Sequence, residues 1–235
     1  MIISTHIPKT AGMAFREVLK KIFGKNIFFD YGTQFEFTDP YRKGPKEHIY
    51  TFKKNTKMIL RGHSKLRLED RCIHGHFSAD KYDQIFPNSK KIIWVRDPLE
   101  RIASQYHYWH RHPDKASYIC NYLLKNKLSL VDFANLDAIK NYQTKFLGKS
   151  SIESFAFIGV QEHFNLSLSL MLDSLDLDIN IDNLSLDINS NPKKATNDKY
   201  NIPNEVASKI QEMNQADYEL YNTAVKNLDT LTNNK

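Results

Sequence analysis

The sequence predicts an α/β fold: a single domain over residues 1–235, with a central, mostly parallel β-sheet flanked by helices. Three observations carry this. The chain opens as strand, tight turn and helix; short apolar strand-like runs then alternate with helical patterns; and no linker-like stretch or internal repeat divides it. At 235 residues it is long enough for one sizeable core and too short to demand two.

The elements follow in order. Residues 1–7 read as a short buried strand, residues 8–12 as a turn, and Phe15, Val18, Leu19 and Ile22 as one helical face closed by Gly24. Residues 28–55 are aromatic and polar and read as an excursion. Residues 58–60 and 72–74 look like short strands, and Tyr82, Ile85 and Phe86 suggest a brief helix. Residues 91–95 (KIIWV) form the clearest buried strand. It runs into Arg96-Asp97-Pro98, where a helix must begin: Asp97 suits the N-cap, Pro98 the first helical position, and Glu100 the third, closing a capping box. Residues 115–147 read as helical with polar breaks. Residues 155–160 are another strand, followed by a helix with Phe164, Leu168, Met171, Leu172 and Leu175 on one face. Residues 176–191 fit an edge strand or an extended loop, residues 189–199 a basic loop, and residues 206–228 one or two closing helices.

Composition narrows the partners without choosing one. Hydrophobic residues make up 41% and charged residues 26%, an ordinary globular mix. The net charge of +6 favours anionic partners: nucleotides, acidic glycans, nucleic acid or anionic membranes. No dense Lys/Arg stripe with interleaved aromatics marks a nucleic-acid binder. Cys72 and Cys120 stand apart from any C-x-x-C pair, which removes the common zinc and redox motifs. No signal-peptide pattern and no apolar run of about 20 residues is present, so the expectation is a cytoplasmic protein without a transmembrane segment, unless the chain is a trimmed catalytic domain.

Four groups of residues stand out as candidates for chemistry. In the turn Pro8-Lys9-Thr10-Ala11-Gly12, small residues let backbone N–H groups converge on one anion at a helix N-terminus, with Lys9 as a mobile charge; it also fits a plain strand-to-helix connection. It lacks the G-x-x-x-x-G-K-[ST] pattern of the common ATP- and GTP-binding loop. Arg96 stands at the carboxyl end of a strand, where open α/β sheets place ligands, and can grip a phosphate through its fork; Ser104 follows two turns on. Arg96 could equally pair with a carboxylate. His74 and His76, two residues apart, share a strand face and could bring one imidazole forward as a general base, or divide into one core and one exposed histidine. No third ligand at sensible spacing supports a metal. Lys193, Lys194 and Thr196 lie in the late basic loop, which could close over a nucleotide or stay solvated.

In combination these segments resemble the PAPS-dependent sulfotransferases, and within them the carbohydrate branch that includes heparan sulfate 2-O-sulfotransferase. Residues 7–15 (IPKTAGMAF) are similar to that family's 5′-phosphosulfate turn, residues 96–106 (RDPLERIASQY) to its 3′-phosphate segment, and His74-Gly75-His76 to the H-G-H that carries the catalytic base. Weaker matches lie at residues 141–147, 157–162, 193–196 and 217–221, so the resemblance spans nearly the whole chain. It implies a P-loop-nucleotide-kinase-like sulfotransferase fold, with PAPS (3′-phosphoadenosine 5′-phosphosulfate) as co-substrate, PAP as product and no metal. The acceptor it implies is a hydroxyl, on a carbohydrate or glycoconjugate. The resemblance places Lys9, Thr10, Ala11, Gly12, Met13, Ala14, Arg96, Ser104, Lys193, Lys194 and Thr196 at the cofactor, and His76, Lys9 and His74 at the chemistry. Met13 and Ala14 depart from it, standing where the family carries Ser or Thr. A kinase-like ATP-dependent transferase and a non-catalytic module for acidic glycans or nucleotides are the alternative readings.

Overall fold

The computed structural model describes residues 1–31, 67, 69–115, 117–179 and 200–233. Five strands form one sheet, β1 (Ile2–Thr5), β2 (Ile27–Asp30), β3 (Cys72–Gly75), β4 (Lys90–Val95) and β5 (Phe155–Val160), in the order β2-β3-β1-β4-β5. Every pairing is parallel. From β1 the chain runs to the edge at β2, returns inward to β3 and then crosses to β4 and β5 on the other side of β1, so the connections after the neighbouring strands β1 and β4 leave in opposite directions. Such a switch point leaves a crevice at the carboxyl edge of the sheet.

The helices are α1 (Gly12–Phe23), α2 (Pro98–Arg111), α3 (Tyr118–Lys125), α4 (Leu130–Ala134), α5 (Tyr142–Lys145), α6 (Phe164–Ser174), α7 (Asn204–Met213) and α8 (Gln215–Asn233). Alternation along β1 sends Ile2 to one sheet face and Ile3 to the other. Ile2 joins a core with Phe15, Val18 and Leu19 of α1, Leu168, Met171 and Leu172 of α6, and Leu220 and Leu228 of α8. Ile3 and Ile73 pack on Phe77 and Tyr82. A separate apolar cluster joins α2, α3, α4 and α7 through Ile102, Leu123, Phe133 and Ile210.

The α/β class and the parallel sheet agree with the sequence, as does Gly24 at the end of α1, where its φ of 55° suits a residue without Cβ. The closing segment resolves into two helices. Three expectations need correction, at residues 28–30, residues 82–86 and the start of α2. Residues 28–30 belong to strand β2 rather than to an irregular excursion. Residues 82–85 form turns rather than a helix, closed by Ile85 N–H to Tyr82 O at 3.0 Å and Phe86 N–H to the same carbonyl at 2.8 Å, and the Tyr82 hydroxyl points inward to donate to Asp30 Oδ2 at 2.8 Å. Of residues 176–191, those at 177–179 run outside the sheet, as the loop alternative has it, and 180–191 lie outside the described residues. The N-terminus of α2 does carry the Asp97 cap, accepting from Glu100 N at 2.9 Å, but Glu100 does not return the bond: Glu162 Oε1 takes the Asp97 N–H at 3.0 Å instead. The proposed strand at residues 58–60 lies outside the described residues. Among the described residues, no helix is long and apolar enough to cross a membrane.

One buried polar network ties the end of the chain to the sheet edge. Asp217 on α8, fully buried, accepts from Gln143 N at 3.0 Å, and from both the N–H and the hydroxyl of Thr144 at 2.8 Å. It thereby caps the start of α5 from outside. Gln143 then brackets the backbone of Arg96, accepting from its N–H at 2.9 Å and donating to its carbonyl at 2.8 Å. Asp217→Ala would strand three donors, the buried Gln143 N–H and the half-buried N–H and hydroxyl of Thr144, at about 1–3 kcal/mol each. We expect a loss of about 3 kcal/mol or more and a fall in Tm of roughly 6–12 °C, read by thermal unfolding, with Asp217→Asn losing less.

Candidate active site

The turn after β1 is built to expose backbone amides. Lys9 and Ala11 both adopt positive φ, 73° and 61°, a conformation that costs non-glycine residues roughly 1–2 kcal/mol each. The Thr10 hydroxyl, buried, donates to Ile7 O at 2.9 Å and clamps the turn. The first intrahelical bond of α1 is Phe15 N–H to Ala11 O at 3.0 Å, which leaves the amides of Gly12, Met13 and Ala14 without intrahelical partners. Left-handed residues leading into a free helix N-terminus make an anion-binding concavity. Met13 projects from it 68% exposed.

Arg96 meets this turn from β4. Its Nη1 donates to Lys9 O at 3.3 Å and its Nη2 reaches Glu100 Oε2 at 3.2 Å, while Nε is buried with no hydrogen-bond partner among the described residues. The other oxygen of Glu100 accepts from Tyr200 N at 3.0 Å, anchoring the chain just after the late basic loop. Arg101, one turn into α2, is fully buried beneath Tyr142, its guanidinium carbon 4.5 Å from the ring centre. Ser104 is buried on the same helix, one turn beyond Glu100. Lys9 Nζ lies 3.9 Å from the centre of the Tyr108 ring, a cation–π contact. Burial, then repulsion from Arg96, Arg111 and Arg101, lowers the Lys9 pKa to about 8. The neighbouring charges that act on Lys9 most strongly are all positive, so an anion placed there would be strongly favoured.

The histidines sit on the other flank of the turn. His74, on β3 and buried, is hydrogen-bonded through Nδ1 to Ser4 Oγ at 2.8 Å, and burial lowers its pKa to about 3. His76 lies just beyond the strand, partly exposed, with Nδ1 2.7 Å from His6 O. A carbonyl only accepts, so Nδ1 carries the proton and the lone pair of the neutral ring is on Nε2. Burial lowers the His76 pKa, partly offset by that bond, so the neutral, proton-accepting form persists below the ordinary value. Gly75 between the two histidines is required sterically: a Cβ there would lie 1.9 Å from the carbonyl oxygen of Asp30 on the adjoining strand.

The structure therefore brings Lys9, Thr10, Ala11, Gly12, Met13, Ala14 and Arg96 to one edge of the sheet, with His74 and His76 beside them. Lys193, Lys194 and Thr196 lie outside the described residues. Several residues at the site are missed by sequence reasoning: His6, Tyr31, Glu100 as an arginine partner, Arg101 and Gln143. Of the aromatics on α2, Tyr106 and Trp109, which with Ile102 stand at the spacing of one helical face, pack against Phe133 in the helical cluster, and Tyr108 turns to Lys9.

The strand order and the anion-ready turn at the sheet's carboxyl edge define a P-loop-like α/β protein. Residues 1–223 match the model of the sulfotransferase family. The chain belongs to that family. Among solved structures, a sulfotransferase from Alicyclobacillus acidocaldarius shares the fold, with a TM-score of 0.50 and 12% identity over 96% of this chain and 95% of that one. Mouse sulfotransferase SULT7A1 complexed with PAP aligns at TM-score 0.42 and 16% identity, over 78% of this chain and 61% of that one. Retinol dehydratase in complex with androsterone and inactive cofactor PAP aligns at 0.45 and 11%, with the same two coverages. A search of curated proteins returns no match.

Proposed function

We propose that the protein transfers the sulfuryl group of PAPS to a hydroxyl of a carbohydrate or glycoconjugate acceptor. The observation that carries this is the meeting of Lys9 and Arg96: a turn of free amides, a lysine pressed on by like charges and an arginine with an orphaned buried Nε converge at one strand edge. A ligand carrying anionic groups at two places satisfies all three. In this reading the amides of residues 10–14 hold the 5′-phosphosulfate, and Arg96 and Ser104 hold the 3′-phosphate. Lys193, Lys194 and Thr196 close over the nucleotide.

The acceptor hydroxyl attacks sulfur in line. A new S–O bond forms, the bond from sulfur to the bridging oxygen breaks, and PAP leaves. His76 takes the hydroxyl proton at Nε2, and Lys9 stabilises the charge that develops on the bridging oxygen. His74, hydrogen-bonded to Ser4 and neutral, supports the base from behind. The likeness of His74-Gly75-His76 to the H-G-H of the carbohydrate branch favours a sugar hydroxyl.

Two measurements test the reading. PAP should raise Tm far more than ATP at equal concentration, with ligand at a hundred times its Kd adding about 2.7 kcal/mol. Arg96→Ala should weaken PAP binding by about tenfold to a hundredfold. Transfer of radiolabelled sulfate from PAPS to a panel of desulfated glycans would then identify the acceptor. Equal protection by PAP and ATP would point instead to an ATP-dependent transferase.

A further inference from the structure

We propose that His6 is the positioning residue of the base, acting through His76 to set its tautomer and orientation. This rests on the reading of His76 as the base. His76 stands beyond the end of β3, where no sheet bond holds its side chain. Two of its restraints come from His6. The His6 carbonyl accepts the Nδ1 proton at 2.7 Å, and the His6 ring stacks on the His76 ring with centroids 4.4 Å apart and planes 29° from parallel. Tyr31 adds an edge contact at 4.8 Å.

The His6 ring is itself fixed on every side the structure describes. Its Nδ1 is 3.0 Å from the Tyr31 hydroxyl. Its far face stacks on His74, 5.2 Å away and 12° from parallel, and His74 is tethered to Ser4 on the central strand. Its Nε2 occupies the place of a side chain at Gly12, where a Cβ would lie 1.5 Å from it. The three imidazoles thus form a column that rises from the sheet to the cleft, and only glycine at position 12 leaves room for its middle member.

The groups that face His76 are His6 from the β1 edge, His74 from β3 and Tyr31 from the β2 edge, and Arg16 from α1 acts on His6, His74 and Tyr31. Arg16 is held against the Phe29 and Tyr31 rings at 4.7 and 5.4 Å. Each of these is neutral or positive, so the column keeps its rings uncharged until a proton arrives from the acceptor. Burial and the two neighbouring histidines hold the His6 pKa well below its ordinary value, and that ring stays neutral while its neighbour is charged. His6 also lies three residues before Lys9, so a single short peptide sets the separation between the base and the donor turn.

The test needs no acceptor. With nitrogen-labelled histidine in the full chain, side-chain NMR reads the tautomer and titration midpoint of His76, with His76→Gln identifying its signals. Wild type should show the Nδ1–H tautomer and a midpoint below about 6.5. His6→Ala admits water beside the ring and should raise the midpoint by about one pH unit, while the Nδ1–H tautomer persists because the backbone carbonyl of residue 6 still accepts its proton. Tyr31→Phe removes only the hydroxyl; it should raise the midpoint by less, and leave PAP binding unchanged. An Nε2–H tautomer in wild type overturns the proposal, as does a midpoint that stays put in both variants. Should His6→Ala fail to fold, Tyr31→Phe decides. Normal turnover by a His76 variant would instead remove the base assignment while leaving this coupling intact.

Discussion

His76→Ala should lower sulfuryl transfer by about a hundredfold to ten-thousandfold, the usual cost of losing a general base, while PAP affinity stays at the wild-type value. The separation follows from geometry. His76 touches the His6 carbonyl and the rings of His6 and Tyr31, whereas the groups proposed to hold the nucleotide are the amides after Lys9 and the Arg96 fork. Turnover would be followed with labelled PAPS and PAP binding by thermal shift. Loss of both together would mean that His76 supports the fold of the turn rather than the chemistry. A pH profile adds a second check. Because burial holds the His76 pKa down, its base form survives below the ordinary histidine value, and the acid limb of kcat/KM should fall below about 6.5. In His76→Ala that limb should disappear.

Lys9→Ala should reduce turnover by about a hundredfold to a thousandfold, comparable to removing one donor aimed at a developing oxyanion. The alkaline side of the profile is its signature. In the free protein Lys9 has a pKa of about 8, lowered first by burial and then by Arg96, Arg111 and Arg101. The charged form therefore dominates below that value and is lost as pH rises through it. An anionic donor reverses the local field and raises the pKa, so the alkaline limb of kcat/KM should lie near 8 and that of kcat higher. Lys9→Arg keeps a charge but replaces a compact ammonium with a planar fork over Tyr108, and should restore donor binding better than turnover. An unchanged alkaline limb in Lys9→Ala would assign that titration to another group.

The parts of this molecule that were legible in the sequence are those governed by local rules. KIIWV could only be a buried strand, Asp97-Pro98 could only start a helix, and the spacing of Phe15, Val18 and Leu19 fixed the buried face of α1. Lys9, Arg96, His74 and His76 were visible because turn, strand-end and alternation patterns single out those positions. What escaped depends on distant partners. Strand β2 has four residues, and only its pairing with β3 makes it a strand. Glu100 sits where a capping box expects it, yet the nearby Arg96 guanidinium takes its carboxylate and Glu162 takes over its bond to Asp97. His6 carries no periodic signal; its contacts come from residues 25 and 70 positions along the chain.

The Asp217–Gln143–Arg96 network also orders events in time. Arg96 has its backbone set by Gln143, and Gln143 is set by Asp217, which follows it by 74 positions on α8. As the chain leaves the ribosome, the β1 turn and the β4 end emerge early but cannot be locked into register until α8 has been made. A chain cut before residue 217 would keep all five strands of its sheet and still lack the buried carboxylate that sets Gln143 and, through it, the backbone of Arg96.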